Sequence, residues 1–373
     1  KGKVSAAALQ VNSASLDNSE GMISSLGALG FTVDGVLKNQ GGTIVGDAGM
    51  KLTAASLENN DGEISSKGDL TADITAITNQ NGKLIAQGAL SLEGKTLDNS
   101  QKGYVSATQK TDVKMTKVDN RGGEISSKAA LQITGQRLDN SDGGLVLAAT
   151  DLKLNVDDVL NRNKGQLSGQ SGVTLEGTTL DNSGGSLISQ TDLGLELSGE
   201  LNNSQGRLSS EGLLTVDVGS LNNRKGKLSG AGALDVTAHG AVDNQGGEMV
   251  SDAGLILNST SLDNSQKGTL SSKSALVITT GAFDNSHSGN VSTRDTLNIT
   301  AGQLTNHDGG RLTSEKALTA NVTGLDQQGG KLFSNTSVAL DLKNGQLNNQ
   351  GGLINGPLLM LKNLKGVNNQ GGE

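Results

Sequence analysis

Hydrophobic residues alternate with other residues along short stretches of the chain. Leu70, Ala72 and Ile74 are each separated by a single residue, and residues 193–197 and 318–322 repeat this spacing. A period of two places successive side chains on opposite faces of a β-strand, one of which is buried. No segment combines a sustained 3.6-residue period with caps at both ends. The pattern therefore predicts an all-β chain with essentially no helix.

An asparagine recurs along the chain at intervals of 20, 21 or 22 residues, with Gln327 taking one place in the series. The asparagines are Asn18, Asn39, Asn59, Asn79, Asn99, Asn120, Asn140, Asn161, Asn182, Asn203, Asn223, Asn244, Asn264, Asn285, Asn306, Asn349 and Asn369. Such a regular period is typical of repeat architectures.

Other positions keep a constant character relative to each asparagine. In the copy around Asn39 they are apolar Leu37, then Gly42, apolar Ile44 and small Gly46. A unit of this length cannot bury a face alone, whereas stacked copies can. We therefore predict a parallel β-helix of about 18 coils of 20–22 residues, with roughly three short strands per coil. Because parallel crossovers are overwhelmingly right-handed, we expect a right-handed coil.

We expect residues 1–373 to form one continuous repeat region, cut from a longer chain. The asparagine of each copy is predicted at a corner, where its amide bonds the turn and the asparagine of the next coil in an internal ladder. The glycine is expected to supply a positive φ at that corner. The aspartate that often precedes the asparagine is expected to be exposed.

The composition of the chain argues against several other classes of protein. Three Phe and one Tyr cannot anchor conventional globular cores of a 373-residue chain. A net charge of −8 disfavours a nucleic-acid partner. The chain has no cysteine for disulfides or thiol chemistry, and no run of 18 apolar residues that would predict a membrane-spanning helix.

Candidate chemistry is sparse. His287 and His307 follow the asparagine in adjacent copies and so are expected one coil apart, while His239 lies elsewhere. A metal site is one alternative, but no carboxylate spacing completes a ligand set, so we predict exposed turn residues. The adjacent acids Asp157 and Asp158 are predicted to be solvated turn charges at a corner. Since no inserted loop occurs, we predict no catalytic, cofactor or metal site, and no enzyme.

The few aromatic residues bear on a carbohydrate-binding alternative. Tyr104 and Phe333 are expected to point outward, whereas Phe31 and Phe283 occupy apolar positions and are expected in the core. Two isolated exposed rings make a poor sugar-binding groove. A protein receptor that binds a flat strand face needs no groove and stays open.

The unit Leu-Asp-Asn-x-x-Gly-x-Leu-x-Ser, followed by an alternating strand, covers essentially the whole chain. It resembles the haemagglutinin repeat of filamentous haemagglutinin-like proteins, the large exoproteins of bacterial two-partner secretion systems. These include adhesins, cytolysins and contact-dependent growth inhibition effectors. The resemblance implies a right-handed parallel β-helix, exported through a dedicated outer-membrane transporter and displayed as a filament outside a Gram-negative cell.

The resemblance implies a structural stalk that presents a distal adhesive or toxin element to other cells. Neither an Asn-Pro-Asn secretion motif nor a Val-Glu-Asn-Asn boundary occurs, and the one proline is Pro357. The alternative is that the segment is itself an adhesin surface for a receptor on a host or neighbouring bacterial cell. Expected partners are the secretion transporter and such a receptor, with no nucleic acid and no small-molecule substrate.

Overall fold

The computed structural model describes residues 2–373, so Lys1 of the predicted repeat region lies outside the described residues. The chain divides into two compact units, one running to Asp181 and including Gly185–Ser189, the other formed by Asn182–Gly184 and Gln190–Glu373. All regular structure in residues 2–373 is β-strand. The prediction that residues 1–373 form one continuous region stays a prediction.

The strands of the first unit are β1 (Lys3–Ala6), β2 (Leu9–Ser13), β3 (Leu16–Asp17), β4 (Met22–Ser25), β5 (Leu29–Lys38), β6 (Thr43–Gly46), β7 (Met50–Glu58), β8 (Glu63–Ser66), β9 (Leu70–Thr78), β10 (Lys83–Ala86), β11 (Leu90–Asp98), β12 (Tyr104–Ala107), β13 (Thr111–Asp119), β14 (Glu124–Ser127), β15 (Leu131–Asp139), β16 (Leu145–Ala148), β17 (Leu152–Leu160), β18 (Gln166–Gly169), β19 (Val173–Gly177), β20 (Thr179–Asp181) and β21 (Ser186–Ser189).

The strands of the second unit are β22 (Leu193–Asn202), β23 (Arg207–Ser210), β24 (Leu214–Asn222), β25 (Lys227–Gly230), β26 (Leu234–Ala238), β27 (Ala241–Asp243), β28 (Glu248–Ser251), β29 (Leu255–Asn258), β30 (Ser261–Asp263), β31 (Thr269–Ser272), β32 (Leu276–Thr279), β33 (Ala282–Asp284), β34 (Asn290–Thr293), β35 (Leu297–Thr300), β36 (Gln303–Thr305), β37 (Arg311–Ser314), β38 (Leu318–Asn321), β39 (Gly324–Asp326), β40 (Lys331–Ser334), β41 (Ser337–Asn348), β42 (Leu353–Asn355) and β43 (Leu358–Asn368).

Strands one repeat apart pair in parallel within each unit. In the first unit, β6 pairs with β8 and β8 with β10, while β7 pairs with β9 and β9 with β11. In the second, β28 pairs with β31 and β31 with β34. The predicted all-β parallel solenoid is thus confirmed, with about 17 turns in total. This count is one below the predicted 18 coils because 18 repeat copies enclose 17 intervals. The right hand of the coil stays a prediction.

Register places equivalent apolar residues on top of one another. Ile44 lies beside Ile64, Ile64 beside Leu84, and Leu84 beside Val105, and all four are at most 1% exposed. Burying such aliphatic columns removes apolar surface that a single turn would leave in water.

Two aromatic residues fill core positions as predicted. Phe31 and Phe283 are each 1% exposed. Phe333 is 40% exposed, as expected for an outward ring, while Tyr104 is half-buried. The core is therefore built mainly from leucine, isoleucine and valine.

The number of strands per turn differs from the prediction in most turns of the first unit. There a four-residue strand such as β8 alternates with one longer strand such as β9, instead of two further short strands. The ladder between β9 and β11 keeps the same register along the longer strand. Asp73 lies beside Glu93, and Ala76 beside Thr96. Three separate strands per turn appear from β18 to β20 and through much of the second unit.

The reason for the corner glycine also differs from the prediction. Gly62 carries no positive φ, which belongs instead to the preceding Asp61 at 57°. A Cβ on Gly62 would lie 2.1 Å from the carbonyl oxygen of Asn39 and 2.6 Å from Oδ1 of Asn59. Glycine is needed here because the asparagines of two turns approach this backbone too closely for any side chain.

Candidate functional site

The asparagine side chains form a hydrogen-bonded column along each unit. In the first unit, Nδ2 of Asn39 donates to Oδ1 of Asn59 at 2.8 Å, and Nδ2 of Asn59 donates to Oδ1 of Asn79 at 2.7 Å. The same Nδ2 of Asn39 also donates to the carbonyl oxygens of Gly42 and Glu63, at 3.1 and 3.2 Å. Each amide thus joins its own corner to the next turn. We call this series, including Gln327, the asparagine column.

Within each unit, members of the predicted series contact one another in this way. Amide contacts of 2.6–2.8 Å link neighbouring asparagines from Asn18 to Asn161, from Asn182 to Asn306, and from Asn349 to Asn369. Asn18 is 6% exposed and Asn369 is exposed, whereas the others are at most 2% exposed. Their contribution to stability stays a prediction.

One step of the column is irregular. Nδ2 of Asn306 donates to Oε1 of Gln327 at 2.7 Å, as in a regular step. Nε2 of Gln327, however, donates to the carbonyl oxygen of Leu353 at 3.4 Å, and the buried Oδ1 of Asn349 has no hydrogen-bond partner. The extra methylene of glutamine carries its amide away from the next member of the column.

The aspartate before the asparagine is half-buried in most copies, where the sequence predicted exposure, whereas Asp17 is exposed as predicted. Asp98 accepts hydrogen bonds at Oδ1 from the backbone N–H and the hydroxyl of Ser100, at 3.1 and 2.6 Å. Asp139 accepts from the backbone N–H of Ser141 at 3.2 Å. A carboxylate that bonds the backbone two residues on stabilises a turn. These aspartates therefore cap the corner that the asparagine occupies.

Most ion pairs on the outer surface join adjacent turns, whereas the pair between Asp119 and Arg121 lies within one corner. Oδ2 of Asp119 lies 2.6 Å from Nη2 of Arg121, and the two side chains remain 31% and 51% exposed. Partial burial opposes the charged form of Asp119, but hydrogen bonds from Arg121 outweigh it and lower the pKa of the carboxyl. The same contact raises the pKa of Arg121 above its ordinary range. Both groups keep their charge at neutral pH, so the contact is an ion pair.

The acidic pair lies within β17, at the place where the alternation of buried residues is interrupted. Asp157 and Asp158 stand between the inward residues Val156 and Val159, which are three positions apart instead of two. Asp157 is exposed, and Oδ1 of Asp158 accepts from the hydroxyl of Thr179 at 2.8 Å.

The histidines occupy two different places in the second unit. Nε2 of His239 lies 2.8 Å from Oδ1 of Asp217 on the surface. His287 and His307 lie in adjacent turns, as predicted, with ring centroids 5.6 Å apart. The carboxylate that the sequence pattern did not supply is Asp308, which contacts both rings.

A shallow groove of about 360 Å³ crosses the outer face of the four-residue strands in the second unit. Ser271, Ser292, Thr313 and Phe333 follow one another across it in register. The hydroxyl of Ser292 donates to that of Ser271 at 3.3 Å, and Arg294 also lines the groove. An exposed ring beside a row of hydroxyls offers a contact surface.

Among residues 2–373, no helix has the length and apolar character that crossing a membrane requires. A family model described as haemagglutinin repeat matches residues 2–41, 30–94, 95–156, 151–205, 197–308 and 284–357. Comparison with curated proteins finds no match, and comparison with solved structures finds none either. Because the matched segments together run from residue 2 to residue 357, the chain belongs to the haemagglutinin repeat family, as a filamentous haemagglutinin-like repeat region.

Proposed function

We propose that the chain is a structural stalk of a secreted bacterial cell-surface filament that presents a distal adhesive or toxin element to other cells. The observation that carries the proposal is the stacking of turns of nearly constant length, each tied to the next by the asparagine column. Each added turn lengthens such a stack by one strand spacing, about 4.8 Å.

The remaining assignments follow from the family. The haemagglutinin-repeat solenoid is a structural and adhesin fold, and we infer that this chain has no enzymatic activity and needs no cofactor. We further propose display on the outer surface of a Gram-negative cell after export through a two-partner secretion transporter. The parent protein is proposed to be an adhesin or a contact-dependent growth inhibition effector, with this chain as one segment of it.

The stalk proposal is tested by removing whole and partial turns from the parent protein. Deleting residues 59–78 removes one repeat and leaves Asn39 followed by Asn79 at a regular interval. A stalk retains export and delivery of its distal element after this deletion. Deleting residues 59–68 removes half a repeat, breaks the register and is expected to abolish both. Loss of delivery by the whole-turn deletion, with the variant folded and exported, would contradict the proposal.

The second candidate, an adhesin surface on the chain itself, is favoured by the groove that contains Phe333. Purified chain should then bind target cells saturably and compete with adhesion of whole cells. The variant Phe333→Ser should weaken that binding, because an aromatic anchor in a contact surface supplies a large share of its affinity. The matched control is Phe283→Leu, which alters a buried ring. If the purified chain is folded but does not bind target cells saturably, the adhesin-surface candidate is rejected and the stalk proposal is kept.

A further inference from the structure

Two histidines and an aspartate converge at one corner of the second unit. One ligand atom from each of His287, His307 and Asp308 lies within 4.8 Å of the others. Oδ2 of Asp308 is 2.8 Å from Nδ1 of His307 and 3.7 Å from Nε2 of His287. From this geometry we propose a binding site for a divalent transition-metal ion of the zinc class, with two nitrogen ligands and one oxygen ligand.

The distances suit such an ion. Zinc binds histidine nitrogen and carboxylate oxygen at about 2.0–2.2 Å, so ligand atoms around a tetrahedral ion lie about 3.3–3.6 Å apart. The present spacings bracket this range, and small rotations of the exposed side chains bring the three atoms to it. Imidazole ligands select zinc, copper or nickel over calcium and magnesium, which prefer oxygen. Three protein ligands leave a fourth position for water.

The backbone holds the ligands in place before any ion binds. His287 and Asp308 occupy the same corner position in successive turns, with φ of 51° at both. The N–H of Ser288 donates to the carbonyl oxygen of Asp308 at 3.0 Å, and the N–H of Lys267 donates to that of His287 at 3.1 Å. In the buried interior of the same two turns, Nδ2 of Asn285 donates to Oδ1 of Asn306 at 2.7 Å. The two turns therefore hold their relative register.

A buried hydroxyl orients one of the imidazoles. Oγ of Ser286 lies 2.8 Å from Nδ1 of His287, and Ser286 is 1% exposed. With the proton of the ring on Nδ1, that nitrogen donates to Ser286 and Nε2 is left free as a metal ligand on the side of Asp308. Metal-ligating histidines usually donate their other N–H to such a partner, which sets the tautomer and the ring orientation. Ser286 is thus a positioning residue.

An ion at this corner would cross-link two successive turns, since His287 belongs to one and His307 and Asp308 to the next. A ligand that binds only the folded chain stabilises it. The bound ion would therefore reinforce this junction of the second unit. This role is independent of the stalk proposal, because an adhesin surface could carry the same site.

The site is tested by titrating chelator-treated chain with Zn²⁺ in a calorimeter and following the thermal midpoint with and without the ion. One saturable site per chain and a raised midpoint are expected. His287→Gln, His307→Gln and Asp308→Asn should each weaken binding by at least about tenfold and reduce the rise. Ser286→Ala should weaken it less than these.

The ligand variants should preserve the fold, because the chain uses the same residues at equivalent corners. Gln266 stands at the position of His287 with φ of 56°, Gln328 at that of His307, and Asn163 at that of Asp308 with φ of 51°. His239→Gln is the matched control, since this imidazole also contacts a carboxylate but has no second histidine. Absence of saturable Zn²⁺ binding overturns the proposal. The proposal is also overturned if His239→Gln weakens Zn²⁺ binding as much as the ligand variants do. Unchanged Zn²⁺ binding by the double variant that carries His287→Gln and His307→Gln overturns it as well.

Discussion

The asparagine column has a regular stretch in the first unit and an irregular step in the second. Asn39, Asn59 and Asn79 are linked by amide hydrogen bonds of 2.8 and 2.7 Å. At Gln327 the link to the next member is lost, and Oδ1 of Asn349 is buried without a partner. One methylene is enough to interrupt the column, although the backbone of Gln327 still donates to the carbonyl oxygen of Asn348 at 2.7 Å.

The comparison shows that backbone stacking and side-chain stacking are separable. The interval from Gln327 to Asn349 is one residue longer than its predecessor. The strand β41 accommodates extra residues between Asp341, which lies beside Asn321, and Leu347, which lies beside Leu325. The parallel strands on either side continue. The column continues only where the side chain carries an amide and has the length of asparagine, whereas the parallel strands accommodate a local bulge.

The largest expected effect is breaking the regular stretch with Asn59→Ala. This removes one of the three hydrogen bonds that Nδ2 of Asn39 donates and leaves Oδ1 of Asn79 without its amide partner; a buried unsatisfied group costs about 1–3 kcal/mol. We expect a loss of about 2–4 kcal/mol in the free energy of unfolding by chemical denaturation. Glu58→Ala is the control, since its exposed contact with Gln40 adds little. Equal midpoints for the two variants would contradict a stabilising column.

The second effect comes from filling the space beside the column with Gly62→Ala. The added Cβ would lie 2.1 Å from the carbonyl oxygen of Asn39, so backbone must move. Overpacking of this kind typically costs about 1–3 kcal/mol. Gly366→Ala is the control, because a Cβ there has no atom within 4 Å. Thermal unfolding of both variants checks the expectation, which fails if Gly62→Ala is as stable as its control.

Gln327→Asn should repair the irregular step. The shorter amide restores the geometry of a regular member and supplies a donor to the unpaired Oδ1 of Asn349. A gain of about 1–2 kcal/mol in the free energy of unfolding is expected. Gln328→Asn makes the same change at the neighbouring exposed position and should be neutral. If Gln327→Asn is no more stable than Gln328→Asn, the irregular step does not lower the free energy of unfolding.

The smallest effect concerns a surface contact beside the column, in Asp119→Asn. The pKa of Asp119 is lowered in the folded chain because, although burial raises it, hydrogen bonds from Arg121 outweigh that contribution. Its stabilisation is therefore present at neutral pH and is lost as pH falls through the folded-state pKa. At pH 7 the variant should lose less than about 1 kcal/mol. The difference from wild type should shrink below about pH 3.9 in a pH series of melts, and a constant difference would refute this assignment.

Much of the fold could be predicted from the sequence. The alternation around Leu70 predicts a strand because side-chain direction along a strand is a local property. The spacing from Asn39 to Asn59 predicts stacking because only neighbouring copies can bury the apolar positions of a short turn. The same spacing placed His287 and His307 in adjacent turns, where the structure has them.

Other features depend on atoms that meet only when turns stack. The role of Gly62 follows from the approach of Asn39, a residue of the preceding copy, and not from its own φ. Asp308 joins the histidine corner because the left-handed backbone of two successive corners aligns it with His287.

The sequence by itself determined the period, the all-β class and the positions of the repeated asparagines, because these follow from local geometry repeated at a constant interval. Only the tertiary structure decided that the amide of Gln327 does not bond Asn349, and which side chains converge beside His287. Those outcomes depend on distances of a few ångströms between turns. A single methylene or one left-handed residue changes such distances without altering the repeat pattern.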